Sequence, residues 1–250
     1  MKGQKNDMIS FMELLKSTLR FFKKHIYHIL FLVSLPFSGY VLVYFYLNEI
    51  TLESITTIPI SIIISFYILF FLSLLISYPL LIYIVSNDPK KNLITLLYEL
   101  KMKLLKVLFF WVIISIIVFL IFLFLISFFY SSSVLINIVP LFIISTMLKL
   151  FIDYIFSIQY IMLKDCSVID ALKCSRSLTK QHWWKVFIYY ILIKLGGMLL
   201  LQGIFNLIVA LLPISTIDYI IIAFIQGLFD LFLYTFITVY YLELNKNRFE

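Results

Sequence analysis

Six unbroken apolar runs constrain this chain more than any other feature, because each exceeds the roughly 20 residues a helix needs to cross about 30 Å of hydrocarbon. They fall near residues 26–47, 58–86, 107–130, 135–163, 184–212 and 217–242. β-Branched residues are frequent in them, but a membrane β-barrel needs alternating segments of about ten residues, and these runs do not alternate. In lipid, helices satisfy their own backbone hydrogen bonds over such a length. The expected fold class is therefore an all-α membrane protein with six transmembrane helices, residues 1–250 forming one polytopic membrane domain. With 63% of residues hydrophobic and 13% charged, polar groups are too few to coat a water-soluble globule.

Orientation follows from the basic residues. The first segment carries Lys2, Lys5, Lys16, Arg20, Lys23 and Lys24, and the second loop Lys90, Lys91, Lys101, Lys103 and Lys106. Lys164, Lys173, Arg176, Lys180 and Lys185 border the fourth loop, and Lys246 and Arg248 lie in the tail. Thus 18 of the 20 Lys and Arg residues fall on one side, whereas the loops at 48–57, 131–133 and 213–217 hold none. This asymmetry predicts a cytoplasmic basic side, with both termini cytoplasmic. The net charge of +7 is then a topology signal, not a nucleic-acid footprint. The first run is too long for a signal peptide and is expected to act as its own insertion signal. Cys166 and Cys174 fall in a predicted cytoplasmic loop, where thiols stay reduced, so neither a disulfide nor a metal site is expected.

Each cytoplasmic segment before an odd-numbered span reads as a short basic amphipathic interfacial helix running into the membrane, the first of them lying in the headgroup plane. The first, Ser10 to Lys24, opens with the capping-box pair Ser10 and Glu13 and carries Phe11, Leu14, Leu15, Leu19 and Phe22 at helical spacing. The second runs from Asn92 to Lys106 and the third from Ser167 to Lys180. Leu15, Leu97 and Leu172 are spaced by 82 and 75 residues, consistent with three copies of an interfacial helix followed by a hairpin. Equally, any protein built from membrane hairpins places basic loops between them.

The third of these helices carries the one specific string in the chain. It reads Met162-Leu163-Lys164-Asp165, then Ala171-Leu172, Ser175, Ser177-Leu178-Thr179 and His182-Trp183-Trp184-Lys185. The string resembles the signature of a broad prokaryotic group of six-helix membrane proteins. That group includes the membrane domain ahead of some glycerophosphodiester phosphodiesterases and the UPF0259 membrane proteins. Pro140 matches a proline that opens the fourth span in the group, whereas Leu141 stands where a glycine is common. The specific portion covers about 25 residues, and the rest agrees in topology. The resemblance implies a stand-alone membrane domain without the hydrolase. Read physically, Trp183, Trp184 and Lys185 form an interfacial anchor, and the basic residues face anionic lipid of the cytoplasmic leaflet.

Charges within hydrocarbon cost at least roughly 2.5 kcal/mol each on insertion scales, so they mark where function is sought first. Counting 1.5 Å per residue from the cytoplasmic ends puts Asp153 about 15 Å deep, Lys194 about 16 Å, Asp230 about 18 Å and Lys149 about 21 Å. Gln226 lies one turn from Asp230, and Gln202 and Asn206 continue outward. The expectation is a buried polar cluster pairing Lys194 with Asp230 and Lys149 with Asp153. Gly196, Gly197, Gly203, Ala223 and Gly227 would allow close helix approach beside it. Such a balanced set either fixes which helices meet or lines a path for a proton, ion or head group.

The chain carries no phosphate-cradling glycine loop, His-Glu-x-x-His or Gly-x-Ser-x-Gly motif, and His25, His28 and His182 all fall at the expected cytoplasmic interface. No enzymatic activity and no cofactor are expected. The leading expectation is a non-enzymatic membrane protein of the bacterial cell envelope. It would act as a subunit of a membrane complex, with a protein partner or a second copy, or in immunity against membrane-active molecules. The alternative is a small transporter or export permease, including the membrane subunit of an ATP-driven exporter, built on the Lys/Asp cluster.

Overall fold

The computed structural model describes residues 10–34, 37, 60–87, 93–129, 138–211 and 216–249. Among these the backbone is helical and no strand occurs. We label α1 (Phe11–Lys24), α2 (26–34), α3 (Ile60–Asn87), α4 (Leu93–Phe129), α5 (Ile138–Asp153), α6 (Ser157–Lys164), α7 (Val168–Leu211) and α8 (Thr216–Phe249). Three stretches of the described residues, Ser145–Lys164, Val168–Ile204 and Ile220–Lys246, are long and apolar enough to cross a membrane, which makes this a membrane protein. Most of the first expected span, Pro36 and the outer turns at 48–57, 131–133 and 213–215 lie outside the described residues.

Local chemistry explains where the helices start and stop. Ser10 caps α1: its hydroxyl accepts from the Glu13 N–H at 3.3 Å, and its own N–H donates to Glu13 Oε2 at 3.0 Å. Two orphan donors are thereby satisfied reciprocally. Lys23 and Lys24 lie in the last turn of α1, where the helix dipole favours positive charge, and the chain turns into α2 at His25, whose N–H donates to the Phe21 carbonyl at 3.0 Å. The expected interfacial helix at 92–106 is continuous with the apolar run that follows, both forming one helix, α4, because no glycine or proline interrupts the segment. The third likewise runs into the fifth span, with a kink at His182 (φ −129°, ψ 20°) inside α7. Conversely, the fourth expected span is broken, α5 ending at Asp153 and α6 opening at Ser157.

The chain divides into two compact units, residues 1–90 with 188–250, and residues 91–187. In the first, α8 is the central element, packing against α1 and α3. Phe11 and Phe22 of α1 meet Phe236 and Phe232 at 5.8 and 5.3 Å between ring centroids, and Tyr78 of α3 stacks on Tyr234 at 3.6 Å. Leu80, Leu81, Ile84 and Tyr241 are fully buried around them. Because lipid tails are as apolar as leucine, this core is held by packing and dispersion, not by escape from water. Leu14 and Thr18 are buried, so one face of α1 docks onto protein. Pro79 within α3 removes one backbone donor, and Ser77 nearby donates to the Ser73 carbonyl at 2.7 Å.

The second unit holds α4, α5, α6 and the start of α7. Ile152, Phe156, Ile161, Met162, Ala171 and Leu178 form its buried centre.

Ser10→Ala removes one half of the capping box and is expected to cost about 1 kcal/mol locally. Amide hydrogen exchange at residues 11–14 should accelerate, while exchange in α8 stays unchanged.

Candidate functional site

Among the described residues each unit contains one buried carboxylate, and the two surroundings are different. In the second unit, the chain leaves the helix at 154–156, where the Tyr154, Ile155 and Ser157 N–H groups keep the Leu150, Ile152 and Tyr154 carbonyls as partners. The start of α7 adds side-chain partners. Ser175 Oγ donates to the Asp153 carbonyl at 2.9 Å and accepts from the Phe156 N–H at 3.2 Å. Thr179 Oγ1 approaches the same carbonyl at 3.3 Å. Val168, Ala171, Ser175, Leu178 and Thr179 are all buried and share one helical face, so the hydroxyls sit on the inward stripe of α7.

The far end of α6 is held from α4. Lys103 Nζ donates to the Met162 carbonyl at 2.8 Å, and Lys106 Nζ lies 2.9 Å from Asp165 Oδ1. The hydrogen bond and charge of Lys106 hold the Asp165 carboxyl below its usual range. Asp165 itself adopts the left-handed conformation (φ 52°) that terminates α6. Ser167 then caps α7 through the Asp170 N–H at 3.2 Å. Burial pushes the neighbouring Cys166 thiol up from its ordinary pKa.

The Asp153 side chain is buried and faces Arg176 Nε at 3.9 Å. Lys149, its expected partner one turn earlier, is exposed and forms no ion pair with it. The reason lies in the break, because Asp153 ends α5 against α7 and its carboxylate meets a cation from that helix. The sequence places Arg176 among the basic residues bordering the fourth loop and gives no direct pairing with Asp153. The signal for that pairing was position: Arg176 follows Ser175, whose hydroxyl lies on the inward stripe.

In the first unit, Lys194 Nζ of α7 lies 3.7 Å from Asp230 Oδ1 of α8. The second oxygen, Oδ2, accepts from Gln226 Nε2 at 3.2 Å. Lys194 also lies over the Phe229 ring at 5.9 Å, a cation–π contact. A β-carbon at Gly197 would collide with that ring, and one at Gly227 would come within 3.3 Å of Val33. Ala223 is fully buried. At Gly196 and Gly203, by contrast, no atom lies within 4 Å of an added β-carbon, so these two face open space among the described residues.

Gln202 and Asn206 bond to each other at 3.0 Å on an exposed face of α7, away from Lys194. Trp183 stacks on Phe187 at 5.2 Å and meets Trp184 edge-on at 4.9 Å, while Trp184 remains largely exposed and Lys185 is half-buried. His25 is buried and stacks on Phe21 at 4.4 Å, with His28 at 6.0 Å.

No protein-family model, curated protein or solved structure matches this chain. The geometry therefore stands alone. Both carboxylates are neutralised by a cation within their own unit, which leaves two self-contained polar contacts between helices.

Two substitution sets test this description. Ser175→Ala leaves the Phe156 N–H unpaired and should cost about 1–3 kcal/mol in thermal or denaturant unfolding, whereas Lys180→Ala, at an exposed position, should stay within about 0.5 kcal/mol. Asp230→Ala leaves Lys194 uncompensated at a cost of roughly 2.5 kcal/mol, and Lys194→Met with Asp230→Leu should recover most of it.

Proposed function

We propose that this chain is a non-enzymatic subunit-type membrane protein of the bacterial cell envelope, acting through association within the membrane. It serves as a component of a larger complex or in protection against membrane-active molecules. The observation that carries this reading is the neutralisation of each buried carboxylate within its own unit, Asp230 by Lys194 and Asp153 by Arg176. A balanced pair needs no cargo to explain it. The exposure of α7 agrees: the apolar stretch within Val168–Ile204 is 11% buried, against 44% for Ile220–Lys246. Its face is thus open to lipid or to a partner helix.

The same reading takes the chain as six-spanning with both termini cytoplasmic, and takes the basic helices as interfacial anchors on anionic lipid. Support comes from the one-sided distribution of Lys and Arg. The resemblance to the six-helix prokaryotic group belongs to this proposal as well. The residues of its string give it a physical meaning, since Ser175 and Thr179 dock α7 on the break at 154–156.

A second reading, a small transporter or permease, is favoured by one observation. The fourth span is discontinuous with a buried Asp153 at its break, and unwound helices at depth line cavities in many carriers. Cysteine placed at 155 would react with a water-soluble maleimide from one side if the break lines a cavity, and would stay unreactive if it is sealed.

Sidedness has a direct test in the native thiols. A membrane-impermeant maleimide should label Cys174, which is exposed, in inside-out vesicles and not in intact cells. Cys166 should react more slowly at neutral pH, because burial raises its thiol pKa and keeps it protonated.

A further inference from the structure

Where α1 lies against the cytoplasmic-end turns of α8, a cleft of about 430 Å³ opens between the two helices. It is lined by Glu13, Leu14, Lys16, Ser17, Arg20 and Glu243. Helical geometry divides α1 into three sectors. Phe11, Leu14, Thr18 and Phe22 face the protein; Met12 and Leu19 project outward, 57% and 52% exposed; Lys16, Arg20 and Glu13 occupy the remainder. An exposed apolar strip beside a basic one is the pattern that places a helix at the boundary between headgroups and acyl chains. The cleft opens on the polar sector, at headgroup level.

Its lining carries two cations and two carboxylates. Lys16 and Arg20 are one turn apart and form no ion pair with any described residue, and Arg20 offers the fork geometry that suits a phosphate. The carboxylates are already oriented. The backbone and hydroxyl of Ser10 hold Glu13 below its usual pKa, and Lys246 holds Glu243 at 3.0 Å. Two cations suit a phosphodiester and two fixed carboxylates suit an ammonium group carrying N–H donors. We propose that this cleft binds a lipid headgroup of the cytoplasmic leaflet that combines a phosphate ester with a primary amine, of the phosphoethanolamine type. Lys16 and Arg20 hold the phosphate, and Glu13 and Glu243 accept from the amine. The inference rests on the membrane reading above and names the lipid partner of α1.

The test is native mass spectrometry of the full chain released from nanodiscs that contain equal parts phosphatidylethanolamine, phosphatidylglycerol and phosphatidylcholine, with soluble phosphoethanolamine added in a parallel arm. Wild type should retain phosphatidylethanolamine preferentially. Lys16→Ala with Arg20→Ala should reduce that retention by about tenfold, as expected for losing charge-assisted bonds. Glu243→Gln should erase the preference over phosphatidylcholine, whose quaternary amine donates no hydrogen bond. Lys23→Ala, on the same helix and outside the cleft lining, should change nothing. Equal retention of all three lipids by wild type, or unchanged retention in the Lys16/Arg20 variant with native helicity, would overturn the proposal, as would binding of soluble phosphoethanolamine in place of the lipid. Failure of the chain to incorporate into nanodiscs would instead overturn the membrane reading.

Discussion

A buried backbone group must find its hydrogen-bond partner within the protein, and the clearest case here is the break at residues 154–156. An interrupted helix leaves carbonyls and N–H groups without their i→i−4 partners, each costly to bury unpaired. Here the Tyr154, Ile155 and Ser157 N–H groups keep local carbonyl partners, and α7 adds side chains: Ser175 serves both the Asp153 carbonyl and the Phe156 N–H, and Thr179 joins the same carbonyl. Other contacts hold the far end of α6 and the approach of α7. Lys103 ties the last turn of α6 to α4, Lys106 holds Asp165, and the buried Ala171 and Leu178 set how closely α7 approaches.

The same constraint governs charge. A lone ammonium or carboxylate in hydrocarbon is expensive, whereas a facing pair with one further hydrogen bond is tolerable. Asp230 has both, with Lys194 on one oxygen and Gln226 on the other. Gly197 contributes differently: without a β-carbon it leaves room for the Phe229 ring that lies under Lys194. Apolar packing alone discriminates weakly between helices in lipid, so polar contacts of this kind select which helices meet.

Much of this was legible in the residues. Apolar run length and helical periodicity announce the helices, and the Ser10 and Glu13 pair marks the start of α1 to the residue. The Lys194 and Asp230 pairing could be anticipated from depth alone, since both lie at similar distances from the basic side. The Asp153 partner could not, because spacing of four on a continuous helix pointed to Lys149, and nothing at 154–156 is a glycine or proline that would announce a break. That break depends on tertiary acceptors and donors from α7, which sequence periodicity does not encode. Helix boundaries at 106–107 were obscured for the opposite reason. Positive charge suggests an interface there, but charge does not interrupt a helix whose residues all favour it. At 196 and 203 no described residue comes within 4 Å of an added β-carbon, because the neighbouring helix and not glycine identity decides whether space is needed.

Whether the buried charges hold helices together or carry a cargo is decided most directly in sealed proteoliposomes. Flux of ions, lipids and cationic peptides would be compared for wild type, Lys194→Ala and Asp230→Ala, with folding followed in parallel by circular dichroism and gel filtration. A structural role predicts no flux above protein-free vesicles for wild type, together with loss of stable fold in the single variants. Flux through wild type that disappears in variants retaining native helicity and elution would contradict it.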